Sequence, residues 1–234
     1  MKKILNANFL TKLMLMVFIL SAIFTVIRII MAPVDAAGLE PGTRVKTDYV
    51  LMLSQSLLGI FAMLMPVFLK RRVGMNLPST MLVVYAIFLF CAIYLGEVRA
   101  FYYLFPQWDA VLHTFSGAAL GALGLSLIGF LNRSEAVTFS LSPAFLAIFA
   151  FCFAVALGAV WEIFEFAADS ILGTNMQKFM LEDGEMLVGQ VALQNTMKDL
   201  IVDALGALCM SVAGYIFMKS DKNWIEKMQL KTSS

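Results

Sequence analysis

Six runs of roughly twenty apolar residues dominate the chain, near 9–31, 49–69, 80–98, 108–131, 143–172 and 197–218. A run of that length crosses about 30 Å of hydrocarbon as an α-helix, and a helix satisfies its own backbone donors and acceptors where no water can reach. Composition matters here only as a check. Of 234 residues 61% are apolar and 14% are charged, where a soluble domain carries about a quarter charged. The expected fold class is all-α: a polytopic membrane protein with a bundle of six transmembrane helices, one integral membrane domain over 1–234, with the lipid bilayer as its surroundings. A soluble enzyme is excluded, and a net charge of +1 leaves no basic footprint for nucleic acid. Cys91, Cys152 and Cys209 sit singly inside apolar runs. That spacing argues against a disulfide scaffold and reads as small core residues.

Positive charge orients the spans. With the N-terminus inside, Lys2, Lys3, Lys12, Lys70, Arg71, Arg72, Arg133, Lys219, Lys222, Lys227 and Lys231 gather on the cytoplasmic side. Only Arg28, Arg44, Lys46, Arg99, Lys178 and Lys198 fall outside. The bias favours N-terminus and C-terminus both cytoplasmic. A cleaved signal peptide over 1–36 is the rival reading of the first run, but Arg28 and the apolar patch after it terminate that run poorly. Two longer loops, 32–48 and 173–196, then lie outside. The second reads as a short interfacial helix and turn over the outer face, either a lid or plain packing.

The informative residues are the polar ones that interrupt the runs. Asp109 and His113 are four apart in the fourth run, and Ser116 follows on the same face. Glu162 and Glu165 are three apart in the fifth run, with Asp169 four further on. Asp199 and Asp203 repeat the four-residue spacing in the sixth, and Glu97 and Arg99 close the third. All fall at the ends that the topology turns outward. Trp108 and Trp161 fit an aromatic belt at that depth. Structural explanations exist for some members. Asp109 suits the first turn of a helix, and Thr196 with Asp199 has the spacing of a capping box. Glu162 and Glu165 have no such explanation, because they stand near a helix C-terminus and repel one another. Gly117 and Gly121 form a small-xxx-small pair, and Gly158 and Gly206 serve close helix approach in the same way.

Three accounts of the cluster remain open. His113, Glu162, Glu165, Asp203 and Asp199 are candidate ligands for a divalent metal ion, since mixed imidazole and carboxylate donors suit zinc, iron or manganese. Such a metal activates water for hydrolysis, with Asp109, His113, Glu162 and Glu165 as candidate catalytic residues and Asp109 orienting His113. Alternatively the carboxylates share protons as a relay, which suits a proton-coupled transporter or permease. In the third account they pair with Arg99, Arg28 and Lys198 and fix helix packing, as in a structural or partner-assembly protein.

Taken together, Asp109-x-x-x-His113 with Phe115 and Gly117, Trp161-Glu162-Ile163-Phe164-Glu165-Phe166, Gly173-Thr174-Asn175-Met176-Gln177 and Asp199-x-x-x-Asp203-x-x-Gly206-Ala207 resemble the YjdF-like family of bacterial inner-membrane proteins. The motif order is more distantly similar to VanZ-like proteins, which are associated with cell-envelope and glycopeptide-antibiotic phenotypes. The match covers about 80–215. One departure is Asn195, which precedes Thr196 where the family pattern has an acid. The resemblance implies a bacterial plasma (inner) membrane protein and leaves the reaction open. The expectation is an outward-facing acidic and histidine site acting on an envelope or lipid-linked substrate.

Overall fold

The computed structural model describes residues 7–34, 43–73, 75–76, 79–131, 141–181, 185–220 and 231–232. Lys2, Lys3, Arg133, Lys222 and Lys227, used above for topology, and 182–184 of the second longer loop lie outside the described residues. In chain order the helices are α1 (Ala7–Met31), α2 (Lys46–Val73), α3 (Ser79–Leu89), the short α4 (Phe101–Leu104), α5 (Trp108–Leu131), α6 (Pro143–Leu172) and α7 (Gln190–Ser220). A π-helix, Phe90–Val98, continues α3, and two-residue strands stand at Met75–Asn76 and Lys231–Thr232. Six of these segments are long and apolar enough to cross a membrane: Ala7–Met31, Lys46–Arg72, Met81–Val98, Trp108–Gly129, Pro143–Leu172 and Gln190–Ser220. The all-α, six-span expectation is met.

The chain divides into two compact units. The first holds α1 to α4, together with 165–195, which comprise the end of α6, the loop after it and the start of α7. Leu10, Met14 and Phe18 recur every four residues along α1 and meet Met63 of α2 and Ala86, Leu89 and Ile93 of the third span in one core. The opposite face of α1 exposes Met16, Leu20, Ile23, Ile27 and Ile30, while Ser21 and Thr25 are buried. That inverts the soluble pattern, in which the exposed face is polar. Ser21 and Thr25 spend their hydroxyls on the carbonyls of Val17 and Ser21, one turn back. Arg28 also stays inside this unit. It donates from Nε and Nη2 to the Tyr49 hydroxyl at 3.0 and 2.8 Å.

The π-helix was not expected from the sequence. The Arg99 N–H reaches back to the Tyr94 carbonyl at 2.9 Å, an i→i−5 bond. Within this stretch Gly96 lies against the Tyr102 ring, where an added Cβ would come 2.7 Å from Cζ. Arg44 donates to the carbonyls of Glu97 and Val98 at 3.3 and 3.4 Å and so ties the end of the span.

The second unit holds α5 from Asp109, α6 as far as Phe164 and α7 from Thr196. Leu125 and Ile128 of α5, Leu146 and Ala150 of α6 and Met218 of α7 form its core. Gly124 brings α5 against α6, since a Cβ there would stand 2.9 Å from the Ala150 Cα.

Three expectations are corrected. The last helix starts at Gln190, not near 197, because Gly189 takes a left-handed φ of 67° and turns the chain into it there. Thr196 and Asp199 are therefore inside α7 and form no capping box. The described part of the loop after α6 is not an interfacial helix. Met180 and Met186 form an antiparallel bridge, flanked by Leu187 N–H to the Phe179 carbonyl at 2.9 Å. Finally, Cys152 and Cys209 are exposed and Cys91 is half-buried, so they are not core residues. Apolar surroundings signal burial only when the solvent is water.

Candidate functional site

Asp109 stands in the first turn of α5, where unpaired N–H groups and the helix dipole favour an acid. His113 and Ser116 follow four and seven residues later on the same face, and Asp199 and Asp203 share one face of α7. Glycine brings the two faces together. A Cβ on Gly117 would overlap the Asp203 carbonyl oxygen, and one on Gly206 would overlap the Thr114 carbonyl oxygen. The backbones of α5 and α7 are thus in contact at the level of Asp203. On α6, Gly158 leaves room for the Asp203 side chain, because a Cβ there would stand 2.9 Å from Oδ2.

That close approach builds a chain of polar contacts. His113 Nδ1 lies 3.1 Å from Asp203 Oδ2. The Ser116 hydroxyl lies 2.7 Å from Asp203 Oδ1 and 2.9 Å from the His113 carbonyl oxygen. An ionised carboxylate only accepts, so the ring proton belongs on Nδ1 and donates to Asp203. Nε2 then points the other way, 3.7 Å from Asp109 Oδ1. Asp199 completes the group: Asp109, His113 and Asp199 each bring one ligand atom within 4.8 Å of the others.

Burial raises the stakes of this arrangement. His113, Glu162, Asp199 and Asp203 are buried, while Asp109 keeps 24% of its side chain exposed. Asp199 is 1% exposed, and its Oδ1 has no hydrogen-bond partner among the described residues. A buried carboxylate oxygen without a donor is costly unless a cation or proton offsets it. The charges that bear on Asp199 are Asp109, His113, Glu162 and Lys198. Glu162 of α6 lies in the same unit, and its charge bears on Asp199. His113 and Lys198 are the basic residues among those charges.

Two acids from the same stripe of α6 fall in the first unit. Glu165 is buried there. Asp169 has a structural role: it accepts from Thr174 Oγ1 at 2.6 Å, from the Met176 N–H at 2.7 Å and from the Gln177 N–H at 2.9 Å. Gly173, with φ 65°, ends α6 and donates to the Asp169 carbonyl at 3.0 Å. Asn175 then bonds both the carbonyl and the N–H of Met180, at 2.6 and 3.1 Å. The Gly173–Gln177 motif is thus a turn wrapped around one carboxylate. The sequence carried a signal for this that spacing alone missed: an acid four residues before a Gly-Thr-Asn helix end.

Residues 10–220 match the family model described as predicted membrane protein (DUF2238), so the chain belongs to the DUF2238 family. It is an integral, multi-pass membrane protein with a buried Asp/His/Asp cluster. No curated protein and no solved structure matches it significantly.

Proposed function

We propose that this chain holds a divalent cation between Asp109, His113 and Asp199 and uses it to activate water for hydrolysis of an envelope or lipid-linked substrate. The observation that carries the reading is the oriented histidine. Asp203 accepts a hydrogen bond from the Nδ1–H, which leaves the Nε2 lone pair turned toward Asp109. A carboxylate behind a metal-bound imidazole fixes its tautomer and raises its basicity. Two carboxylates and one imidazole suit zinc, manganese or iron(II). Ligands on one such ion stand about 3–4 Å apart, so small side-chain rotations close the 4.8 Å triad around it. Three protein ligands leave a position open for water, whose pKa the metal lowers. In this reading Glu162, whose charge bears on Asp199, accepts that proton.

In this reading Asp109 and Asp203 exchange the roles that spacing suggested. Asp109 is a ligand and Asp203 is the residue behind the histidine. Glu165 is left out of the ligand set. The basic-residue bias supports N- and C-termini in the cytoplasm and the site on the outer face of a bacterial plasma membrane. The resemblance of the four motifs to the YjdF-like family, and more distantly to VanZ-like proteins, supports an envelope substrate.

Elemental analysis of the purified protein tests the reading, with wild type compared against His113→Ala and Asp199→Asn after loading with zinc, manganese or iron(II). Wild type should retain a stoichiometric ion that both variants lose, each variant remaining helical and monodisperse. Wild type that holds no more metal than His113→Ala under every loading condition overturns it and leaves the proton relay or a packing role.

A further inference from the structure

We infer that the second unit carries a separate binding groove for one acyl chain of an anionic phospholipid, with the phosphate held at Lys219. The groove has a volume of about 300 Å³ and lies between α6 and α7. Ala144, Ala147 and Phe151 line one wall, and Leu208, Ser211 and Tyr215 line the other. Each wall runs at helical i, i+3, i+7 spacing, a register at which two helices ordinarily close on one another. Here three of the facing residues are Ala or Ser, too small to fill the gap. On the other side of the pair, Leu146 and Ala150 of α6 join Met218 of α7 in the core with α5, a contact that sets the spacing of the two helices.

Chemistry and dimensions identify the occupant. The wall presents no polar atom to the groove, so it offers ordered water nothing to bond. From Leu208 to Tyr215 the rise is about 10 Å at 1.5 Å per residue. Spread along that length, the volume has a cross-section of about 30 Å². A single hydrocarbon chain fits along it. Lys219 Nζ stands 5.0 Å from the centre of the Tyr215 ring, which places an exposed cation one turn beyond the groove. The distance from Leu208 to Lys219 is about 16 Å, half of a hydrocarbon core of about 30 Å. A lipid whose phosphate meets Lys219 therefore lays its chain along the groove and ends near mid-membrane. Asp203 lies on the far side of Leu208 along α7, so the two sites share no residue.

The full chain in phosphatidylcholine nanodiscs, doped with phosphatidylglycerol carrying a photoreactive group in its tail, tests this. Crosslinks should map to peptides containing Phe151 or Leu208. Filling the groove with Ala147→Phe should abolish them. Lys219→Glu, or a phosphatidylcholine probe with the same tail, should reduce them about fivefold. Bound metal should be unchanged in both variants, which separates a failure here from a failure of the cation site. Labelling spread evenly over the exposed faces, labelling indifferent to Ala147→Phe, or crosslinks between two copies of the chain across these residues would each overturn the assignment.

Discussion

Asp169 and Asp199 look alike in the sequence, each a buried acid within an apolar run, and the two units treat them in opposite ways. Asp169 is surrounded by donors: one hydroxyl and two backbone N–H groups converge on its two oxygens. Its charge is spent on holding a turn. Asp199 is more deeply buried, yet one of its oxygens has no donor among the described residues, and the acids Asp109 and Glu162 bear on it along with the bases His113 and Lys198. An acid with donors stabilises a fold, whereas a buried acid oxygen without a donor stores an unmet demand that a cation can satisfy. Burial alone does not separate the two cases.

The comparison is broken most severely by attacking what creates the second environment. Gly206→Ala puts a methyl group onto the Thr114 carbonyl, and α5 and α7 must part. The expected cost is about 3 kcal/mol or more, at the upper end for overpacking. It should appear as a collapse in the yield of monodisperse protein and, in what survives, loss of the bound ion. A Gly206→Ala protein with unchanged melting temperature and metal content would mean that the helices need not touch at Asp203.

A sharper contrast comes from removing the two acids themselves. Asp169→Ala leaves two backbone N–H groups and a hydroxyl without their acceptor and should cost about 2 kcal/mol, with metal content per folded chain unchanged. Asp199→Asn should do the reverse. The cation-free protein should be as stable as wild type, or more stable by about 1 kcal/mol, because a buried charge has gone. Stabilisation by added metal, about 2.7 kcal/mol at a hundredfold excess over Kd, should vanish. Thermal melts of both variants with and without the metal give all four values. Equal destabilisation by the two changes would erase the distinction drawn here.

How much of this is legible in sequence follows from the same physics. The spans are readable because a lipid-facing helix is apolar on every side, so α1 and α6 announce themselves by length. That uniformity hides which face is buried, which is why Cys152 and Cys209 read as core. The π-helix over Phe90–Val98 has the same residue types as an α-helix and leaves no periodic trace. Spacing located Asp109, His113, Asp199 and Asp203 on shared faces, and Gly117 with Gly206 foretold a close approach. Roles were not legible. Whether Asp203 or Asp109 sits behind the histidine depends on which ring nitrogen each carboxylate meets, a distance of a few ångströms that no spacing encodes. Likewise, Asp169 continued the stripe from Glu162 by register, but its donors come from a turn that only the folded chain brings back.

The smallest expected effect tests the assignment of roles most directly. Ser116 touches the proposed ligands only through Asp203 and the His113 carbonyl, fixing Oδ1 so that Oδ2 meets the imidazole. Asp203→Asn should weaken cation affinity about 10- to 100-fold, as removing the acid behind a metal-bound histidine does. Ser116→Ala removes one neutral donor from that acid and should weaken affinity only about threefold, the worth of a single hydrogen bond of modest strength. Chelator competition resolves the difference. If Ser116→Ala matched His113→Ala in abolishing binding, the serine would itself be a ligand, and the order from Ser116 through Asp203 to His113 would have to be reversed.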